Sequence, residues 1–291
     1  MKGKVAAVLM LCAAGLLARD IRVDNLDIPF KGEEELDVVI EFGLGNLELS
    51  RGTISDYLMK SIIEYDADIV KPVIDYKVLG NRGRLKMYTE NFDETPFKGW
   101  KKRDRELSGD LRKNHWTLEF NRSVPTSFDI ELGLGKGRLD FTDLKISDLS
   151  LECGLSDVVV EFRKRNDERI RNLSLEAGLG NVELFGLGFA NIERFDVECG
   201  LGSTRLNFEG DITQNMKGRI SVGLGSVAVE IPDNVGVEIE AESSFLSSLN
   251  LKDFDEIDED VYRSENWRKT KYKIYMVIEI GLGSVDIDWV K

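Results

Sequence analysis

The residues best suited to chemistry in this sequence are a recurring set of glutamates. Glu41, Glu131, Glu152, Glu176, Glu198 and Glu279 each stand two positions before a glycine that opens a short repeated phrase, and Ser221 and Ser243 fill the same place in two further copies. Carboxylates at one repeated position of stacked strands form a column, in which neighbours about 4.8 Å apart repel by roughly 1 kcal/mol in water. Such a column could recruit cations or cationic peptides, with Glu131, Glu152, Glu176 and Glu198 as the ligand-binding set. The alternative is a solvent-facing strand position offset by lysines and arginines of adjacent columns. Carboxylates one or two coils apart also approach the separations used by retaining and inverting glycosidases, so the enzymatic alternative is a carbohydrate-active protein acting on an extracellular polysaccharide. A general acid needs a pKa raised by its surroundings, whereas repeated exposed glutamates share one solvated setting. The sequence therefore favours a protein with no catalytic residues and no cofactor.

The other candidates are weaker. His115 is the single histidine, and its neighbours Asn114 and Trp116 supply neither a metal ligand nor a nucleophile. The acidic run Asp253 to Asp260 lacks the glycine and the spacing of a calcium loop, so it reads as a solvated loop and no metal site is expected. Lys98, Lys101, Lys102, Arg103, Arg105, Arg112 and Lys113 outnumber Asp104, Glu106 and Asp110, with Phe97 and Trp100 alongside. On a chain of net charge −14 this basic, aromatic loop is a candidate contact for anionic lipid headgroups or wall polymer, carried by Lys98, Trp100, Lys101, Lys102, Arg103 and Arg105.

What positions these residues is a repeat. The phrase reads G-L-G-N-L-E-L at Gly43 and recurs at Gly133, Gly154, Gly178, Gly200, Gly223 and Gly281, with a degraded F-L-S-S-L-N-L at Phe245. From Gly133 to Phe245 the copies start 21, 24, 22, 23 and 22 residues apart. Fixed spacing of this kind marks stacked coils. Alternating apolar residues flank each copy, as in Leu149, Leu151, Cys153 and then Val158, Val160, Phe162, which is the period of half-buried strands. The unit is strand, G-L-G corner, strand. The predicted fold is all-β: a single-domain β-solenoid with coils of about 22 residues, right-handed from the chirality of parallel crossovers, with an N-terminal strand-rich cap and a long loop. The leucine of every corner is expected to point inward as an aliphatic column. Helix is confined to a short turn within Ile54 to Ser61, and the last coil, ending at Trp289, is expected to leave an edge that this aromatic or a partner strand caps.

Residues 1 to 18 stand apart, with Lys2 and Lys4 before fourteen uncharged residues from Val5 to Ala18. This reads as a secretory signal peptide cleaved after Gly15 or Ala18, with an uncleaved anchor as the alternative. The expected layout is 1–18 signal peptide, 19–127 N-terminal cap and first coil with inserted strands and loop, and 128–291 repeat solenoid. The body would then lie outside the cytoplasm, periplasmic, at the cell surface or secreted. A field this negative disfavours nucleic acid as a partner. Cys153 and Cys199 both precede a corner glycine with Ala177 at the same place between them. They should lie roughly 9.5 Å apart, beyond the ~7 Å reach of a disulfide, as two buried free thiols.

The chain resembles the toastrack domain, the β-solenoid module of bacterial cell-envelope stress proteins of the LiaF-like type and of adhesin-like exported proteins. The resemblance rests on the repeated phrase, on Asn114 to Gly135 (N-H-W-T-L-E-F-N-R-S-V-P-T-S-F-D-I-E-L-G-L-G), on Tyr76 to Met87 (Y-K-V-L-G-N-R-G-R-L-K-M), and on the ending V-Y-R-S-E-N-W through I-E-I-G-L-G-S-V-D-I. It implies an exported envelope protein that binds or signals, with an envelope component or membrane signalling protein as partner and no catalytic motif to carry over. The sequence has no run of membrane helices such as LiaF-like membrane proteins carry.

Overall fold

The computed structural model describes residues 20–52, 56–90, 114–243 and 248–290. In chain order the strands are β1 (Ile21–Asn25), β2 (Ile28–Pro29), β3 (Glu35–Arg51), β4 (Tyr57–Asp66), β5 (Lys71–Leu79), β6 (Arg82–Glu90) and β7 (His115–Phe120). There follow β8 (Thr126–Asp140), β9 (Ile146–Glu161), β10 (Ile170–Ala177), β11 (Asn181–Phe185), β12 (Ile192–Cys199), β13 (Ser203–Asn207), β14 (Met216–Val222) and β15 (Ser226–Pro232). The last are β16 (Gly236–Ser243), β17 (Ser248–Leu251), β18 (Phe254–Asp258), β19 (Val261–Ser264), β20 (Lys273–Ile280) and β21 (Ser284–Val290). The fold is an all-β solenoid, with no helix among the described residues.

The coils stack in parallel register. Each of β3, β8 and β9 runs through its corner as one long bent strand, and each later coil divides there into a pair, β10 with β11, β12 with β13, β14 with β15. Equivalent inward residues meet rung on rung, as Ile130, Leu151, Leu175, Val197 and Ile220 do. All five are buried, and complete burial of such a side chain is worth about 1.5–3 kcal/mol. Rings continue the same stacking: Phe120 meets Phe128 edge to face at 5.0 Å, Phe128 meets Phe141 at 5.3 Å, and Phe141 stacks on Phe162 at 5.6 Å.

Chain order and stacking order part company at both ends. The β20–β21 coil lies directly on β14–β15, and the earlier β16–β17 coil lies on its far side. The last coil in sequence is therefore an interior coil, and Trp289 caps no open edge. Its indole donates to the Lys252 carbonyl at 2.7 Å and stacks on Phe254 at 5.6 Å. At the other end β6 and β7 both lie on the outer side of β3, together supplying one coil. Antiparallel strands cover the open edges there, β5 on β6, β4 on β7 and β1 on β4. The β18–β19 hairpin covers β16. Such edges would otherwise present unpaired backbone groups.

The edge requirement also overrides the helical turn expected within Ile54 to Ser61. Tyr57 to Ser61 are strand, because β4 pairs with β7 on one side and with β1 and β2 on the other. The acidic run from Asp253 likewise forms a hairpin rather than a loop, turning at Asp260, where φ is 57°.

Candidate ligand-binding face

The glutamates do form one column. Glu41 pairs in register with Glu131, Glu131 with Glu152, Glu152 with Glu176 and Glu176 with Glu198. Ser221 takes the next rung, and Glu279 follows it. The final rung is Glu242, not Ser243, since Glu242 pairs with Glu279 while Ser248 pairs with Ser284. Five residues separate Glu242 from Ser248 where four separate Glu279 from Ser284, so the degraded copy carries one extra residue in its corner.

Two rungs of the column, Glu41 and Glu279, carry a counter-ion and the run between them does not. Lys86 Nζ lies 2.5 Å from Glu41 Oε1, and Arg219 pairs with Glu279. Glu131, Glu152, Glu176 and Glu198 are exposed and make no ion pair among the described residues. Burial, then the charges of Glu152 and Glu41, push the Glu131 carboxyl above its ordinary value. Equal settings for every rung, as expected from the sequence, therefore do not hold: Glu131 is singled out. The column four residues earlier on the same strands mixes its charges instead. There Ser127 donates to Asp37 at 2.9 Å, Asp148 pairs with Arg171 just outside the column, and Arg194 Nε donates to Asn172 at 3.1 Å.

The corner leucines reverse the expectation made for them. Leu155, Leu179, Leu201, Leu224 and Leu282 are 49%, 53%, 54%, 57% and 54% exposed. Leu44 and Leu134 at the same position are half-buried. The reason is a change of parity. Before the corner the inward residues are Leu149, Leu151 and Cys153, and after it they are Ser156, Val158 and Val160, so Gly154 and Leu155 both fall outside the bend. The signal was present in the sequence, because the interval from Cys153 to Val158 is odd. Leu44 pairs with Leu134 and Leu134 with Leu155, and the Leu179, Leu201, Leu224 and Leu282 amides each donate to the coil beneath at 2.8–2.9 Å. The leucines thus form a continuous ridge three residues beyond the glutamate column.

Cys153 and Cys199 are free and buried, in register with Ala177 between them. Burial pushes the Cys153 thiol up to about 12, which makes it a poor nucleophile. His115 is half-buried on β7, its Nε2 3.8 Å from Glu48. Lys98, Trp100, Lys101, Lys102, Arg103 and Arg105 lie outside the described residues; the segment that holds them joins Glu90 of β6 to Asn114 before β7.

Fold and face together define an all-β parallel solenoid whose carboxylate column, with four successive rungs free of ion pairs among the described residues, runs beside an exposed leucine ridge. Residues 18–185 match the N-terminal domain of toast_rack, DUF2154, and the chain belongs to that family. Among solved structures it is similar to a candidate cell adhesion protein of Clostridium sporogenes, at 21% identity over 93% of this chain and 100% of that one, with a TM-score of 0.49. It is also similar to a candidate adhesin of Bacteroides fragilis, at 15% identity over 92% and 97% of the two chains, TM-score 0.40. No function is transferred from these two. No curated relative matches the chain.

Proposed function

We propose that this protein is a non-catalytic binding or sensing module exported to the cell envelope, and that it makes contact through the glutamate column. The observation that carries this reading is the run of four consecutive carboxylates, Glu131, Glu152, Glu176 and Glu198, without counter-ions among the described residues, on a protein where Arg171 pairs with Asp148, Lys86 with Glu41 and Arg219 with Glu279. A cationic ligand relieves their mutual repulsion. The apolar leader at residues 1 to 18 supports export. The partner is then an envelope component or a membrane signalling protein, and anionic lipid or wall polymer remains the proposed contact of Lys98 to Arg105.

Titration of the purified protein with fluorescent poly-L-lysine tests the column. Binding is expected to weaken steeply with salt, and to fall at least tenfold when Glu131, Glu152, Glu176 and Glu198 are all changed to Gln. Equal binding by that variant removes the reading. Fractionation of the native host tests export: recovery of the protein in the cytoplasm with its leader intact would refute it. One observation favours the second reading, a polysaccharide-cleaving enzyme: burial and the neighbouring carboxylates shift Glu131 upward, the direction a general acid requires, and a second carboxylate stands beside it in register. Incubation with extracellular polysaccharides is expected to leave their viscosity unchanged, and a fall that Glu131→Gln abolishes would establish the enzyme instead.

A further inference from the structure

The side chains of the leucine ridge are not part of the buried core. They lie outside the bend, while Cys153, Ala177, Cys199, Val222 and Ile280 fill the core beneath it. Seven leucines from Leu44 to Leu282 occupy consecutive rungs, a line about 29 Å long at strand spacing. Exposed apolar surface that is continuous over such a length marks a contact. The two flanks differ. On one side runs the glutamate column, and on the other lie Asn46, Lys136, Asp157, Asn181, Ser203, Ser226 and Ser284, a strip with one cation and one anion and no net charge, in which Asn181 donates to Asp157 at 3.1 Å and Ser203 to Asn181 at 2.6 Å.

These flanks select the occupant. Among the described residues, a second copy laid ridge against ridge brings more carboxylates and a flanking strip whose one cation, Lys136, is matched by Asp157, too little to offset four glutamates from Glu131 to Glu198. The partner must carry its own cations on one side of an apolar stripe. Its backbone geometry follows from the rung spacing. A helix presents one residue per turn along a stripe, about every 5.4 Å, against rungs at about 4.8 Å. An extended strand presents same-face residues only every 6.6 Å or so and falls out of step after two rungs. We infer that the leucine ridge and the glutamate column together form a docking track for a basic amphipathic helix of about 20 residues, its apolar stripe on the leucines and its Lys or Arg residues on the glutamates. The inference rests on the proposed role of the glutamates and adds the leucines, the helical form and the orientation to it.

The test uses three synthetic peptides of one leucine, lysine and glutamine composition, each about 20 residues: one patterned as an amphipathic helix, one alternating as an amphipathic strand, one scrambled. The intact protein is expected to bind the helical peptide at least tenfold more tightly than the other two, with helical ellipticity rising on binding. Changing Leu155, Leu179, Leu201 and Leu224 to Ser is expected to cost at least tenfold for the helical peptide while leaving poly-L-lysine binding and the melting curve unchanged. Undiminished peptide binding by the serine variant overturns the track but leaves the glutamate column standing. Equal binding of the strand-patterned peptide by the unaltered protein overturns it without recourse to any variant. Loss of both peptide and poly-L-lysine binding overturns both readings. Two other occupants are distinguishable outcomes against it: sedimentation as a dimer that the serine variant abolishes, and leucine-dependent binding to neutral phosphatidylcholine vesicles.

Discussion

Glu131 is where the charge column is most strained. Its carboxyl is held above its ordinary value by partial burial and by Glu152 and Glu41, so the folded protein binds that proton more tightly than the unfolded chain. The sign follows from linkage: the stabilising contribution is complete below the ordinary carboxylate range and is lost as pH rises through the raised value. At neutral pH the ionised group therefore opposes folding. Glu131→Gln is expected to raise the melting midpoint at pH 7, by an equivalent below about 1 kcal/mol because solvent screens so exposed a rung, and the gap should close as pH falls to 4. Melting curves of the two proteins at both pH values check this, and a lower midpoint for the variant at pH 7 contradicts it. The column itself was legible as a two-residue offset from each corner glycine. The particular strain on Glu131 was not, since it depends on the burial of one rung and on how far the cation of Lys86 reaches.

At the scale of the coil, the turns between rungs are held by buried side-chain amides rather than by the G-L-G phrase. Asn166 is 3% exposed. Its Nδ2 donates to the Ile146 carbonyl at 2.7 Å and to that of Ala190 at 3.3 Å, while its Oδ1 accepts from the Ile146 amide at 3.1 Å. One side chain thus ties three consecutive coils where no strand ladder does. Asn166→Ala leaves an amide and two carbonyls buried without partners, and is expected to cost about 2–3 kcal/mol in urea unfolding. A loss under about 0.5 kcal/mol would mean that water or neighbouring backbone replaces it. The corner glycines act by sterics. At Gly135 φ is 138° and an added Cβ would lie 1.9 Å from the Gly45 carbonyl oxygen, so successive corners approach closer than any side chain allows. Period, strand alternation and glycine corners are all written in local residue types, and the sequence placed them correctly. Asn166 carried no such mark, because its partners come from coils 20 and 24 residues away.

The whole molecule is a stack in which each coil depends on its neighbours. Because β20–β21 is wedged between β14–β15 and β16–β17, its loss strands two coils rather than one. A chain ending before Lys273 is expected to lose amide-exchange protection throughout β16 and β17 and to fray at β14 and β15, while β8 to β13 keep theirs. Retained protection in β16 would show that this coil can restack directly on β14, and would refute the wedge as a requirement.

The sequence by itself determined the coil, its period, the strands on either side of the corner, the glutamate column and the two separated thiols Cys153 and Cys199. All of these follow from alternation and spacing within some twenty residues, which act through short-range backbone geometry. The outward turn of the corner leucines was also marked in each coil, by the odd interval from Cys153 to Val158. Tertiary structure alone decided the stacking order at the two ends and the strand at Tyr57 to Ser61, because both are settled by which open edge remains to be paired, a property of the assembled stack that no single coil contains.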